Sequence, residues 1–256
     1  MLLLPGYFAG AQLTTDTLAP QSLVQAAVKE PRKKSKALLH AGMALGYAGA
    51  AYLVYQTEDT HFQDESQEMK NPFMSSIAKA VSPLGVNKNA WMALGATAGL
   101  AYLTKNTRLQ HTIFVWGGSM LINSMATDKL KNTFQRYRPN TGMPFNTFDG
   151  HEGPHLNHSL PSAHTSNAFT TATVFATIYK DKKWVPPVAY GVATLVGLSR
   201  VYNNAHWASD VMAGAAVGFL SAKTMLLSDK WLTQKGIRLY PQVGRHGAGL
   251  GMVKTF

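Results

Sequence analysis

The sequence predicts an all-α fold, a bundle of six core helices. Three observations predict it. Six moderately apolar segments recur along the chain, rich in Ala, Gly, Leu and Met. None alternates apolar with polar residues as a half-buried strand would. Hydrophobic residues make up 46% of the 256 positions, enough for a core and too many for a disordered chain.

The start, MLLLPGYFAGAQ, is apolar, broken by Pro5, and runs into the small residues typical of an export-signal end. It has no basic leading region and its apolar run is short. Residues 1–11 therefore read either as the remnant of an export signal or as an ordinary terminus. Residues 29–36, KEPRKKSK, form a basic linker, so 1–36 is an N-terminal segment. Helices are expected over 37–55, 90–103, 111–126, 167–179, 185–198 and 211–227, which makes 37–227 the main domain. Residues 228–256 are a basic, Gly-rich tail, read as flexible or as a small surface strand.

Composition points two ways on the membrane. Charged residues are only 14%, against about 25% in an average soluble domain. Yet the mean hydropathy is −0.08, and no segment is a clean run of about twenty apolar residues. The first segment is the best spanning candidate, although it holds His40. With the N-terminus in the cytoplasm, Lys29, Arg32, Lys33, Lys34, Lys36, Lys105, Arg108, Lys180, Lys182 and Lys183 fall inside. Glu58, Asp59, Asp64, Glu65 and Glu68 fall in the first outside loop. That leans toward a positive-inside distribution, although Lys70, Lys79, Lys88 and Lys131 would lie outside. An integral membrane protein and a soluble periplasmic bundle both stay open.

With no cysteine, the chain has no disulfide framework, thiolate metal site or cysteine nucleophile. The net charge of +11 suits an anionic partner. No nucleic-acid motif or interleaved aromatic–basic stripe is present, so nucleic acid is not expected.

Three clusters carry chemistry. In Lys131-Asn-Thr-Phe-Gln-Arg-Tyr-Arg138-Pro139, the outer cations are seven residues apart, two turns of a helix that Pro139 ends. Ser159-Leu-Pro-Ser162-Ala163-His164 precedes the fourth helix, whose free N–H groups favour an anion. In Ser199-Arg200…His206…Asp210, the histidine and carboxylate are four residues apart and share a helix face. A carboxylate on one ring nitrogen leaves the other free to attack. Each cluster alone has an ordinary reading: a solvated basic face including Lys129 and Arg136, a helix cap, a helix-start ion pair. In an up-down array, however, all three lie at one end. Lys131, Arg138, Arg200, one helix start and two histidines would then share a pocket suited to a phosphoryl group.

Together the clusters resemble the signature of the type 2 phosphatidic acid phosphatase superfamily, which includes bacterial acid phosphatases and vanadium haloperoxidases. That signature reads K-x6-R-P, P-S-G-H and S-R-x5-H-x3-D. Order and spacing match, and Ala163 stands where the family usually has glycine. The resemblance implies the six-helix fold of that superfamily. It implies His206 as nucleophile forming a phosphohistidine, Asp210 orienting it, and His164 as general acid. It implies Lys131, Arg138 and Arg200 as phosphate ligands, with Ser162 and the Ala163 N–H assisting. No metal or other cofactor is implied, and membrane members carry the site on the extracytoplasmic side. His151, His155 and His158 line the pocket mouth, form a polar loop, or hold a metal. Tyr202 and Trp207 are expected to pack the core.

The expected function is a metal-independent phosphatase of a lipid phosphate monoester or diphosphate, of phosphatidate, polyprenyl diphosphate or lipid A type. The expected partners are that substrate and a membrane, and the oligomeric state is open. The alternatives are a soluble periplasmic acid phosphatase, a vanadium haloperoxidase and a non-catalytic envelope protein.

Overall fold

The computed structural model describes residues 36–57, 59–153, 158–244 and 247–254. The expected export signal and nearly all of the basic linker lie outside the described residues. The chain divides into Met1–Leu38, described only at its last three residues, and Leu39–Phe256, which carries the helical bundle and the site.

All six expected helices form, and most run past their expected ends. They are α1 (Lys36–Thr57), α4 (Asn87–Thr104), α5 (Thr107–Phe134), α6 (Ala163–Ile178), α7 (Val185–Tyr202) and α8 (Ala208–Gln234). Two short helices, α2 (Asp59–Glu68) and α3 (Pro72–Val81), occupy what reads as an outside loop. The acidic α2 has no apolar period to announce it. The start of α3 is conventional: Asn71 accepts a hydrogen bond from the Met74 N–H, and Pro72 opens the helix. A 3₁₀ turn, Ser82–Gly85, leads on to α4. The tail is not one strand but a hairpin, β1 (Ile237–Gly244) antiparallel to β2 (Gly247–Lys254), with Ile237 opposite Lys254.

Helix α6 lies at the centre, against α5, α7 and α8. Its buried residues include Thr165, Ser166, Asn167, Thr170 and Thr173. Asn123 of α5 donates to Asn167 Oδ1 at 2.8 Å, and Trp116 Nε1 donates to Thr171 at 2.9 Å. Burying such groups requires that they pair, and here they pair with one another. The apolar core proper is small: Val115, Trp116, Met120, Val174 and Ala222, with a second patch around Ala172, Ala193 and Val196.

Polarity runs opposite to that of a water-soluble bundle. On α5, Asn123 is 0% exposed while Met125 is 74% exposed. Leu53, Leu100, Leu103, Leu121, Val188, Leu195 and Leu198 are likewise exposed. Among the described residues, α8 is the helix with the length and apolarity of a membrane span, rather than the first segment as expected.

Small residues set the α6–α8 spacing. Gly214 and Gly218 face the carbonyls of Ser162 and Ser166, and Ala222 continues the row. A Cβ at Gly218 would lie 2.2 Å from the Ser166 oxygen, so only glycine allows this approach. Gly218→Ala is therefore expected to destabilise the bundle by about 1–3 kcal/mol. The check is the thermal midpoint of the detergent-solubilised protein; an unchanged midpoint would show that the helices part without cost.

Candidate active site

The three clusters meet at one end of the bundle. Lys131 lies in the last turn of α5, His164 in the first turn of α6, Arg200 in the last turn of α7, and Asp210 in the first turn of α8. Arg138 precedes the 3₁₀ turn Pro139–Thr141, in extended backbone. His206 sits between α7 and α8. Lys131, Arg138 and Arg200 all lie within electrostatic reach of His164. Lys131 and Arg138 also lie within reach of His206.

Local structure explains how each side chain is presented. Gln135 takes the left-handed conformation (φ 46°) and ends α5 just after Lys131 has been delivered. Ser162 caps α6, its Oγ accepting from the Thr165 N–H at 3.5 Å and hydroxyl at 3.0 Å. It keeps its own hydroxyl proton to donate. Ala163 is absent from the positive-φ residues, which among the described non-glycines are Lys105, Gln135 and Asn204. The usual glycine's backbone freedom is therefore not required at this position.

The cations divide into two kinds. Among the described residues, no carboxylate lies within ion-pair distance of Lys131, Arg138 or Arg200. Lys131 Nζ donates to the His158 carbonyl at 2.5 Å. One Arg200 nitrogen donates to Ser82 at 2.6 Å, while its buried Nε has no hydrogen-bond partner among the described residues. Arg136 is the opposite case. It is 1% exposed and donates to Asp59 at 2.8 Å, to Asp210 and Ser209 at 2.7 Å each, and to the Phe145 carbonyl at 2.9 Å. Tyr55, Phe148 and Trp207 place their rings around it.

His206 is 3% exposed, and its Nδ1 lies 3.7 Å from Asp210 Oδ2. Burial pushes its pKa down to about 4 against the opposing pull of Asp210, so the ring is neutral near pH 7. Asp210 Oδ2 also accepts from Ser159 Oγ at 2.5 Å and from the Trp207 N–H at 3.0 Å.

Three participants have no assignment in the sequence. Arg136 reads as one more member of a basic run, Asp59 as loop acidity, and Ser159 as a residue ahead of the motif. Burial distinguishes them, and no local pattern announces it. His151 is exposed, and His155 lies outside the described residues. Trp207 packs on Phe145 and donates to the Tyr137 carbonyl, and Tyr202 bonds to Ser75 and Asn71, so both are structural.

Arg136→Ala would strand two buried carboxylates and is expected to cost about 3–5 kcal/mol, read as a large fall in thermal midpoint. The His206 pKa lies below its unfolded value of about 6.5, so its stabilising contribution is complete above that pH and lost progressively toward about 4. The wild type should lose more thermal stability than His206→Asn between about pH 7 and about pH 4.5. Equal losses would mean that His206 is not held neutral.

Residues 112–234 match the model of the PAP2 superfamily. A lipid A 1-phosphatase of Porphyromonas gingivalis is 50% identical over 64 residues, 25% of this chain and 14% of that protein. Phosphatidylglycerophosphatase B of Bacillus subtilis is 26% identical over 174 residues, 64% of this chain and 80% of that protein. The crystal structure of a transmembrane PAP2-type phosphatidylglycerolphosphate phosphatase from Bacillus subtilis aligns with a TM-score of 0.55 at 22% identity. It covers 76% of this chain and 96% of that one. Aquifex aeolicus LpxE aligns with a TM-score of 0.51 at 19% identity, covering 66% and 94%. The segment that matches the PAP2 superfamily model contains Lys131, Arg138, His164, Arg200, His206 and Asp210, so all three motifs of the site fall within the part of the chain that is similar to that superfamily.

Proposed function

We propose that this protein is a membrane-embedded phosphatase that removes phosphate from a lipid phosphate monoester or diphosphate through a phosphohistidine on His206. The observation that carries the reading is a set of three cations around His164, with no carboxylate partner among the described residues, beside a buried, neutral His206.

The arrangement supports a specific chemistry. Lys131, Arg138 and Arg200 bind the non-bridging phosphate oxygens, helped by the Ser162 hydroxyl and the Ala163 N–H at the start of α6. His206 Nε2 attacks phosphorus in line with the departing oxygen. The incoming dianion favours a proton on His164, which passes it to the leaving alkoxide or phosphate. Water then attacks the phosphohistidine with His164 as base, releasing inorganic phosphate and freeing His206. The cations neutralise charge that a metal would otherwise meet, so no metal is required.

A lipid substrate is supported by the exposed apolar faces and by the relatives, whose names include lipid A and phosphatidylglycerophosphate phosphatases. An apolar groove of about 670 Å³, lined by Tyr52, Leu130, Phe134, Leu160 and Leu220, borders the Leu160–Pro161 segment beside the site. An extracytoplasmic site is supported by Arg108, Lys180, Lys182 and Lys183 at the opposite end, the kind of cluster that the positive-inside tendency assigns to the cytoplasm.

The test is phosphate release from phosphatidic acid in detergent with excess EDTA, run beside p-nitrophenyl phosphate. Release from the lipid is expected to persist in EDTA and to fall about 10⁴-fold or more in His206→Ala. Release confined to the soluble ester would overturn the lipid assignment. Full turnover by folded His206→Ala would overturn the nucleophile.

A further inference from the structure

The family signature pairs His206 with Asp210, yet the 3.7 Å between them is too long for a hydrogen bond. Ser159 lies in the gap. It is 0% exposed, its Oγ is 2.5 Å from Asp210 Oδ2, and it is 3.4 Å from His206 Nδ1. From this geometry we infer that Ser159 is a positioning residue, which relays the Asp210 carboxylate to His206 and sets the tautomer that makes Nε2 the attacking atom. The inference rests on the proposed role of His206.

Counting protons gives the direction of each bond. Asp210 accepts from Arg136, from the Trp207 N–H and from Ser159, a donor set that belongs to a carboxylate. A serine hydroxyl has one proton, and the short contact to Asp210 takes it. Toward His206, the Ser159 oxygen can therefore only accept. The proton of the neutral imidazole sits on Nδ1, and Nε2 keeps its lone pair. The backbone holds Ser159 in place: its N–H donates to the Arg136 carbonyl at 3.0 Å, so the relay is tied to the residue that grips Asp210 from the other side.

The experiment uses the full-length, detergent-purified protein and two readouts. In the first, ¹⁵N spectra of histidine-labelled protein, assigned by the signal lost in His206→Ala, report the tautomer without turnover. Wild type should show Nδ1–H, and Ser159→Ala a mixture; Nδ1–H retained in Ser159→Ala overturns the proposal. In the second, kcat for phosphate release should fall about 10- to 100-fold in Ser159→Ala with KM little changed. It should fall no further when Ser159→Ala is added to Asp210→Asn, because both act through His206. Additive losses would instead mean a merely structural serine and overturn the relay. Ser159→Thr keeps the hydroxyl and should restore part of kcat. A wild type without phosphatase turnover would sink the functional reading, while the tautomer readout would still decide the role of Ser159.

Discussion

Taking a guanidinium out of water costs several kcal/mol, and Arg136, 1% exposed, offsets that cost from three parts of the chain. Asp59 comes from α2, Ser209 and Asp210 from α8, and the Phe145 carbonyl from the loop after α5. The ion network ties these segments together, and it does so with direction. The Asp210 carboxylate is held on one oxygen by Arg136 and on the other by Ser159 and the Trp207 N–H. Whatever orients His206 therefore depends on Arg136 being where it is.

The second constraint is the inverted polarity of the bundle. Helices meet through Ser166, Thr170, Asn123 and Gly218, while Met125, Leu121 and Leu103 face outward. In water this would waste the hydrophobic effect and expose apolar surface far beyond a scatter of single residues. In lipid it is the expected arrangement, since tails are as apolar as leucine and association relies on close packing and interhelical hydrogen bonds. It also accounts for a mean hydropathy of −0.08 in a chain with only 14% charged residues. Away from the site end the inward faces are polar but uncharged, so each helix averages out moderate.

The same averaging decides what can be read in the sequence. The helices are legible because Ala, Gly and Leu are dense and strand alternation is absent, and the site is legible because its motifs have fixed spacing. Helix α2 is not, because DTHFQDESQE has no apolar face to reveal. It contributes the Asp59 carboxylate, whose partner Arg136 lies 77 residues away, and polar side chains such as Gln67 that bond to the end of α7. Arg136 is hidden for a related reason. Two arginines two residues apart look alike in sequence, and only tertiary structure shows that one is locked between carboxylates and the other is not. The hairpin at the tail depends on backbone pairing across a Gly-rich stretch, where side-chain pattern carries little information.

That difference between the two arginines has a chemical consequence. Had Arg136 met Asp210 alone, the pair would be neutral, and the carboxylate's field at His206 would be largely cancelled. Asp59 changes the count: two carboxylates about one guanidinium leave a net charge of −1 behind the histidine. The free imidazole has little use for that charge, because burial keeps it neutral. In the proposed reaction the phosphorylated ring does. Once Nε2 carries phosphorus while Nδ1 keeps its proton, the ring becomes cationic, and the negative charge behind it is then worth most. Interactions that strengthen only as the reaction proceeds are those that raise kcat. On this argument Asp59 belongs to the proposed reaction as much as to the fold, although it touches neither His206 nor the substrate.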